Sequence, residues 1–150
     1  MNKRKWIGGI SVLLVILILG LKYYAEQVGN PKVISEIMNN PAGVRAAIVT
    51  LIELPDGRSI PANYLREGNL VFIGVDGRWW REFNPGPTSV SLLIKGIQET
   101  GTGVVVLDDP AYTHEIFARL RPDAPAWLPD WLNGKLVVIT LSSKTMPDGV

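Results

Sequence analysis

The hydrophobic pattern of this chain changes character twice. From Trp6 to Leu21 no side chain is charged, and with Lys22 to Ala25 the segment reaches 20 residues, about 30 Å of helix and enough to cross a bilayer core. Trp6 at one end and Lys22, Tyr23 and Tyr24 at the other stand where aromatic rings and a snorkelling lysine meet the headgroups. A cleaved signal peptide would share the basic start and the apolar run, but Tyr23-Tyr24-Ala25 puts bulky rings where a cleavage site needs small residues. The sequence therefore predicts an uncleaved single-pass anchor. Lys3, Arg4, Lys5 and the amino terminus precede it, while Lys22 and Lys32 follow, so the charge bias places the N-terminus in the cytoplasm and the body on the extracytoplasmic side of the cell membrane.

Behind the anchor the period becomes helical for two turns. Asn30-Pro31 reads as a cap and first turn, Val33, Ile34, Ile37 and Met38 form one apolar face, and Asn39-Asn40-Pro41 stops it. Such a stripe can lie on a bilayer, but packing against the body is its commoner use.

Beyond Gly43 the period shortens to two. Ala46 to Leu54, Ser59 to Arg66 and Leu70 to Val75 read as three hairpin-linked strands, separated by Pro55-Asp56-Gly57 and Glu67-Gly68-Asn69 and closed by Asp76-Gly77. Trp79 to Phe83 is expected as a shorter fourth strand, followed by Val90 to Lys95 and Gln98 to Leu107. One helix interrupts them. Asp109 caps it, Pro110 fills its first turn, and Tyr112, Ile116 and Leu120 recur at intervals of four with Phe117 beside them. After a connector from Pro125 to Trp131, Asn133-Gly134 turns the chain into a last strand, Lys135 to Ser142. So many short strands predict a closed barrel, which removes exposed edges, with a sandwich as the alternative. The expected division is residues 1–25 for cytoplasmic tip and anchor, 26–45 for juxtamembrane helix and linker, 46–142 for the β domain and 143–150 for a flexible tail.

Charge and composition narrow the function. The body after residue 25 carries 11 basic and 14 acidic side chains with no basic run, which disfavours nucleic-acid binding. The chain has no cysteine and one histidine, which excludes thiolate catalysis, zinc-thiolate sites and histidine-rich metal cages. His114 shares a polar helix face with Glu115 and Arg119, where a solvated histidine is the simple reading. Asp108-Asp109 stands where helix capping explains it, and Gly101-Thr102-Gly103 lacks the helix that a phosphate-binding turn requires, so neither marks a catalytic site.

Two aromatic clusters stand out. Arg78-Trp79-Trp80-Arg81-Glu82-Phe83, read as a strand, sends Trp79 and Arg81 to one face and Arg78, Trp80 and Glu82 to the other, each face pairing a ring with a guanidinium. One such face could stack a flat heterocycle and pair its anionic tail; the plainer account has one tryptophan in the core and the other beneath an arginine. Trp127 and Trp131, on the Pro-rich connector, have the character of interface anchors.

From Ala46 to Leu141 the chain resembles the split β-barrel oxidoreductases, in particular the deazaflavin-dependent nitroreductase family, whose broader relatives bind FMN. The likeness rests on Gly57-Arg58, Pro61, Tyr64-Leu65 before Gly68, Leu70 to Gly74, Trp80, Val90 to Gly96, and the helix before a valine-rich last strand. It implies a mainly β fold, a small split β-barrel with one inserted helix. In that family a glycine-rich basic loop and a Pro-x-Trp-x-x-Asn stretch hold the cofactor's charged tail. Here that region is compressed to Val75 to Phe83, where the resemblance leaves Arg78, Trp80 and Arg81 for the role, with Tyr64 nearby as a proton donor or ring contact. The compressed loop and the absence of a catalytic constellation favour a non-catalytic accessory or interaction subunit, using a reductase-like barrel as scaffold within a membrane complex. Its partners would be the bilayer and another membrane protein or complex, docked at Trp127 and Trp131; family analogy adds a homodimer. The alternative is a flavin- or deazaflavin-dependent oxidoreductase of nitroreductase or quinone-reductase type.

Overall fold

A computed structural model describes residues 13–21, 30–125 and 134–142. The body is mainly β. Its elements are α1 (Asn30–Asn39), α2 (Val44–Ile48), β1 (Val49–Glu53), β2 (Ser59–Glu67), β3 (Leu70–Val75), a 3-10 helix (Trp79–Phe83), β4 (Thr88–Ile94), β5 (Ile97–Val106), α3 (Pro110–Leu120) and β6 (Lys135–Leu141). The six strands close into an antiparallel barrel in the order β1-β2-β3-β6-β5-β4, with β1 pairing β4 to seal it. Closure leaves no sheet edge, as the run of short strands predicts.

Alternation along each strand sorts the side chains into two cores. Ile52, Leu54, Ala62, Tyr64, Ile73, Leu92, Val137 and Ile139 fill the interior. Phe72 and Leu136 point outward instead and are covered by Ile116 and Phe117 of α3. The inserted helix thus covers a side of the barrel, burying the face that its period of four marks. The carboxylate of Asp109 accepts from the Tyr112 backbone N–H at 2.9 Å, and Pro110 occupies the first turn, so this helix starts where the sequence places it. Gly74 makes the docking close: a Cβ there would lie 2.9 Å from the Phe117 ring and 3.0 Å from the Leu120 side chain.

α1 packs on the body through Ile37, which is fully buried with Ala46 and Val49. The strand expected from Ala46 instead begins at Val49, after one helical turn. The adjacent Ala46 and Ala47 favour helix, and the β-branched run that favours strand starts only at Ile48. Thr50, the buried polar side chain of the core, donates its hydroxyl to the Leu93 carbonyl at 2.9 Å.

The second correction is larger. Trp79–Phe83 is a 3-10 helix, with the Arg81 N–H donating to the Arg78 carbonyl and the Asn84 N–H to the Arg81 carbonyl, each at 3.1 Å. Aromatic content suggests strand, but only seven residues, Arg78 to Asn84, separate Gly77, at φ +86°, from the Pro85-Gly86-Pro87 loop. A tight helical turn lets this segment lower Phe83 into the barrel. The alternating-face arrangement of its tryptophans and arginines therefore does not form. Gly101 and Gly103 are strand glycines of β5, buried on the interior side where Ile139 and Phe83 need room.

Residues 13–21 form an exposed apolar helix. Among the described residues no helix is long and apolar enough to cross a membrane. Trp6, Lys22, Tyr23 and Tyr24 lie outside the described residues, as do Trp127 and Trp131.

Candidate functional site

A groove of about 990 Å³ runs along the outer side of β2 and the end of β3. Its floor is Pro61, Asn63 and Gly74, and its walls carry Arg58, Arg78, Trp79 and Arg121. These residues reach one place from separate elements. The Asp56-Gly57 turn delivers Arg58, the Asp76-Gly77 turn delivers Arg78 and Trp79, and the C-terminal end of α3 delivers Arg121. Asn30, at the start of α1, closes one end.

The three arginines differ in how far their charge is already satisfied. Arg58 lies between Asp56 and Glu82, at 2.5 and 2.7 Å, and the bond to Asp56 raises its already high pKa further. Asp56 is held below the usual carboxylate range, first by the backbone N–H of Arg58, which donates to it at 3.0 Å. Arg121 forms two bonds to Asp76, at 3.0 and 2.9 Å, and lies over the Phe117 ring at 5.2 Å. The Arg78 guanidinium has no hydrogen bond or ion pair among the described residues. It is the guanidinium in the groove whose charge no described side chain meets. Beside it the Trp79 indole is fixed edge-to-face by Phe83, with ring centres 6.2 Å apart, so its orientation is set by the core.

The residues singled out in the sequence thus separate. Arg78 lines the groove, but its ring partner there is Trp79. Trp80 packs partly against the interior cluster, and Arg81 lies over its ring at 5.6 Å. Tyr64 points into the barrel, where its hydroxyl donates to the Ala46 carbonyl at 3.3 Å and burial pushes its phenol upward. Arg58, Asn63, Arg121 and Asn30 are groove residues that sequence reasoning does not single out as a site, while Trp79 is expected there only on a strand face shared with Arg81. In the sequence Arg58 stands out only through the family likeness, and the mid-strand Gly74 signals close backbone approach rather than a ligand.

Chemically the groove offers an indole ring, a guanidinium unpaired among the described residues and the Asn63 amide, a set suited to binding a flat anion. His114 is exposed on α3 and does not line it. Among the described residues no group of three or more histidines, aspartates and glutamates is placed to hold a metal. A second, smaller depression of about 430 Å³ over β1, β4 and β5 is lined by Glu53, Ser89, Ser91, Thr100 and Thr102, with neither ring nor cation. No protein-family model and no curated protein matches the chain.

Proposed function

We propose that this protein is a membrane-anchored domain whose groove binds an anionic, ring-bearing ligand of the flavin or deazaflavin class, on a split-barrel scaffold of nitroreductase or quinone-reductase type. The observation that carries the reading is the pairing of Arg78 with Trp79 in a groove of about 990 Å³. That is at the upper end of the roughly 300–1,000 Å³ of small-molecule sites, room for a tricyclic ring and a phosphorylated tail. The residues fit such a group. Trp79 offers a fixed surface for the ring, Arg78 a charge for the tail, and Arg58, already held by two carboxylates, a rigid rim. A bound flavin-type group would itself supply hydride chemistry; the chain's own residues bind and orient it. The anchor, from Trp6 to Ala25 with Trp6, Lys22, Tyr23 and Tyr24 at the interfaces, holds the body on the extracytoplasmic face of the cell membrane.

Detergent-purified full-length protein tests this directly. A coloured or fluorescent preparation, or micromolar titration by FMN or deazaflavin that Arg78→Ala weakens at least tenfold, supports the reading. A colourless protein that binds neither more tightly than about millimolar, where only about 4 kcal/mol of association energy is available, overturns it.

The second reading is the accessory subunit docked on a membrane complex. The fold favours it in one respect: Tyr64, the proton donor that the family likeness suggests, faces the opposite side of the sheet from the groove. Under this reading Trp127→Ala or Trp131→Ala releases co-purifying partners while the groove variants do not.

A further inference from the structure

The groove faces one side of β2, and the end of the barrel beyond β1 carries a different surface. α2 buries Ala46, while Val44 and Ile48, one turn apart on its opposite side, are 86 % and 52 % exposed. At the end of α1, Met38 is 62 % exposed, and so is Ile97 at the start of β5. These are neighbours, because the β4–β5 turn comes against Pro41, which lies between α1 and α2: a Cβ on Gly96 would meet the Pro41 side chain at 2.7 Å. Two cations border the apolar cluster. Lys95 is exposed in that turn at φ 49°, and Arg45 is exposed on α2, facing Glu36 at 3.6 Å.

We propose that this end of the barrel, formed by Met38, Val44, Ile48 and Ile97, rests on the lipid bilayer, with Lys95 and Arg45 at the level of the phosphate headgroups. The inference depends on the proposed anchor and adds to it a fixed orientation of the body. Apolar side chains rimmed by cations are the composition of an interfacial lipid contact. The chain also permits it. Five peptide units join Ala25, the end of the proposed anchor, to Asn30, a reach of about 17 Å when extended. α1, at ten residues, carries the chain about 15 Å from Asn30 to the patch, so the body can turn that end to the membrane without strain. Tethering supplies the local concentration that makes a small contact sufficient. With this end down, the groove opens sideways along the bilayer rather than into it.

The chain has no cysteine, so single labels can be placed without background. The full-length protein is reconstituted in anionic phospholipid vesicles carrying an environment-sensitive fluorophore at Val44→Cys, at Ile97→Cys or, as a control on the outer surface of β5, at Thr102→Cys. The expected result is quenching of the labels at 44 and 97 by spin-labelled lipid, with protection from aqueous iodide, and the reverse at 102. Carbonate extraction of the same vesicles reads the anchor separately. Retained protein whose labels at 44 and 97 match the control overturns the proposal and leaves the anchor standing. Labels shielded from iodide but untouched by lipid quencher also overturn it, because a protein then covers the patch. Protein extracted by carbonate overturns anchor and orientation together, even if the groove binds its ligand.

Discussion

Phe83 occupies the space that a side chain at position 103 would need. A Cβ on Gly103 would lie 2.5 Å from one ring carbon of Phe83 and 2.8 Å from another. The 3-10 turn can therefore lower its last residue into the barrel only because β5 is bare at that point. The same ring holds Trp79 edge-to-face, so the interior of the barrel and the wall of the groove are mechanically one unit.

Gly103→Ala should accordingly destabilise the body by about 1–3 kcal/mol, the usual range for overpacking a filled core. Chemical denaturation measures the loss. Adding Phe83→Leu should recover part of it, since the shorter side chain vacates the contested space; losses that simply add would show that the two residues are not coupled.

That coupling also marks the limit of what the sequence discloses. Turn chemistry is local, so Asp56-Gly57, Gly68 and Asp76-Gly77 read correctly, and the helix behind Asp109-Pro110 has its start written in two adjacent residues. Closure of the barrel follows from the number of short strands. The five residues from Trp79 to Phe83 were too few to distinguish a period of two from one of three, and their aromatic content pointed to strand. The groove was less legible still. Arg58, Asn63, Trp79 and Arg121 are far apart in sequence and meet only because β2, β3 and α3 pack where they do. Arg81 looked equivalent to Arg78 because both flank the tryptophans, and only the helical turn separates their fates.

Asp109→Ala removes the carboxylate that caps the first turn of α3, leaving the Tyr112 N–H without its 2.9 Å partner. The expected cost is about 1 kcal/mol of folding stability. Asp109→Asn, which keeps an acceptor, should recover most of it. An equal loss in both variants would indicate that the charge near the helix N-terminus, rather than the cap bond, is what matters.

Tyr64 should make stability fall in alkali. Burial raises its pKa above the ordinary 10.0, with the Arg66 charge acting against this and the Glu99 charge with it. The folded protein then holds the phenolic proton more tightly than the unfolded chain does. Its contribution is complete below pH 10 and is lost as pH rises through the folded pKa. Denaturation curves between about pH 9 and 11 should show a shallower decline for Tyr64→Phe than for the parent. Parallel declines would mean that the phenol is not what titrates there.

Arg78 and Arg81 stand three residues apart and should behave oppositely. Arg81 covers the Trp80 ring at 5.6 Å on an exposed surface, an arrangement worth about 0.5–1 kcal/mol, and it does not line the groove. Arg81→Ala should therefore lower stability by that amount and leave FMN or deazaflavin titrations unchanged. The Arg78 guanidinium holds no partner among the described residues, so Arg78→Ala should leave stability within about 0.5 kcal/mol, as surface substitutions usually do, while weakening the same titrations. Trp79→Phe separates ring stacking from core packing: it retains an aromatic surface beside Phe83 but reduces the area offered to a ligand, so binding should fall more than stability. If ligand binding instead follows Arg81 and is indifferent to Arg78 and Trp79, the binding surface is the outer side of the Trp80 turn, and the groove over β2 is not where the ring is held.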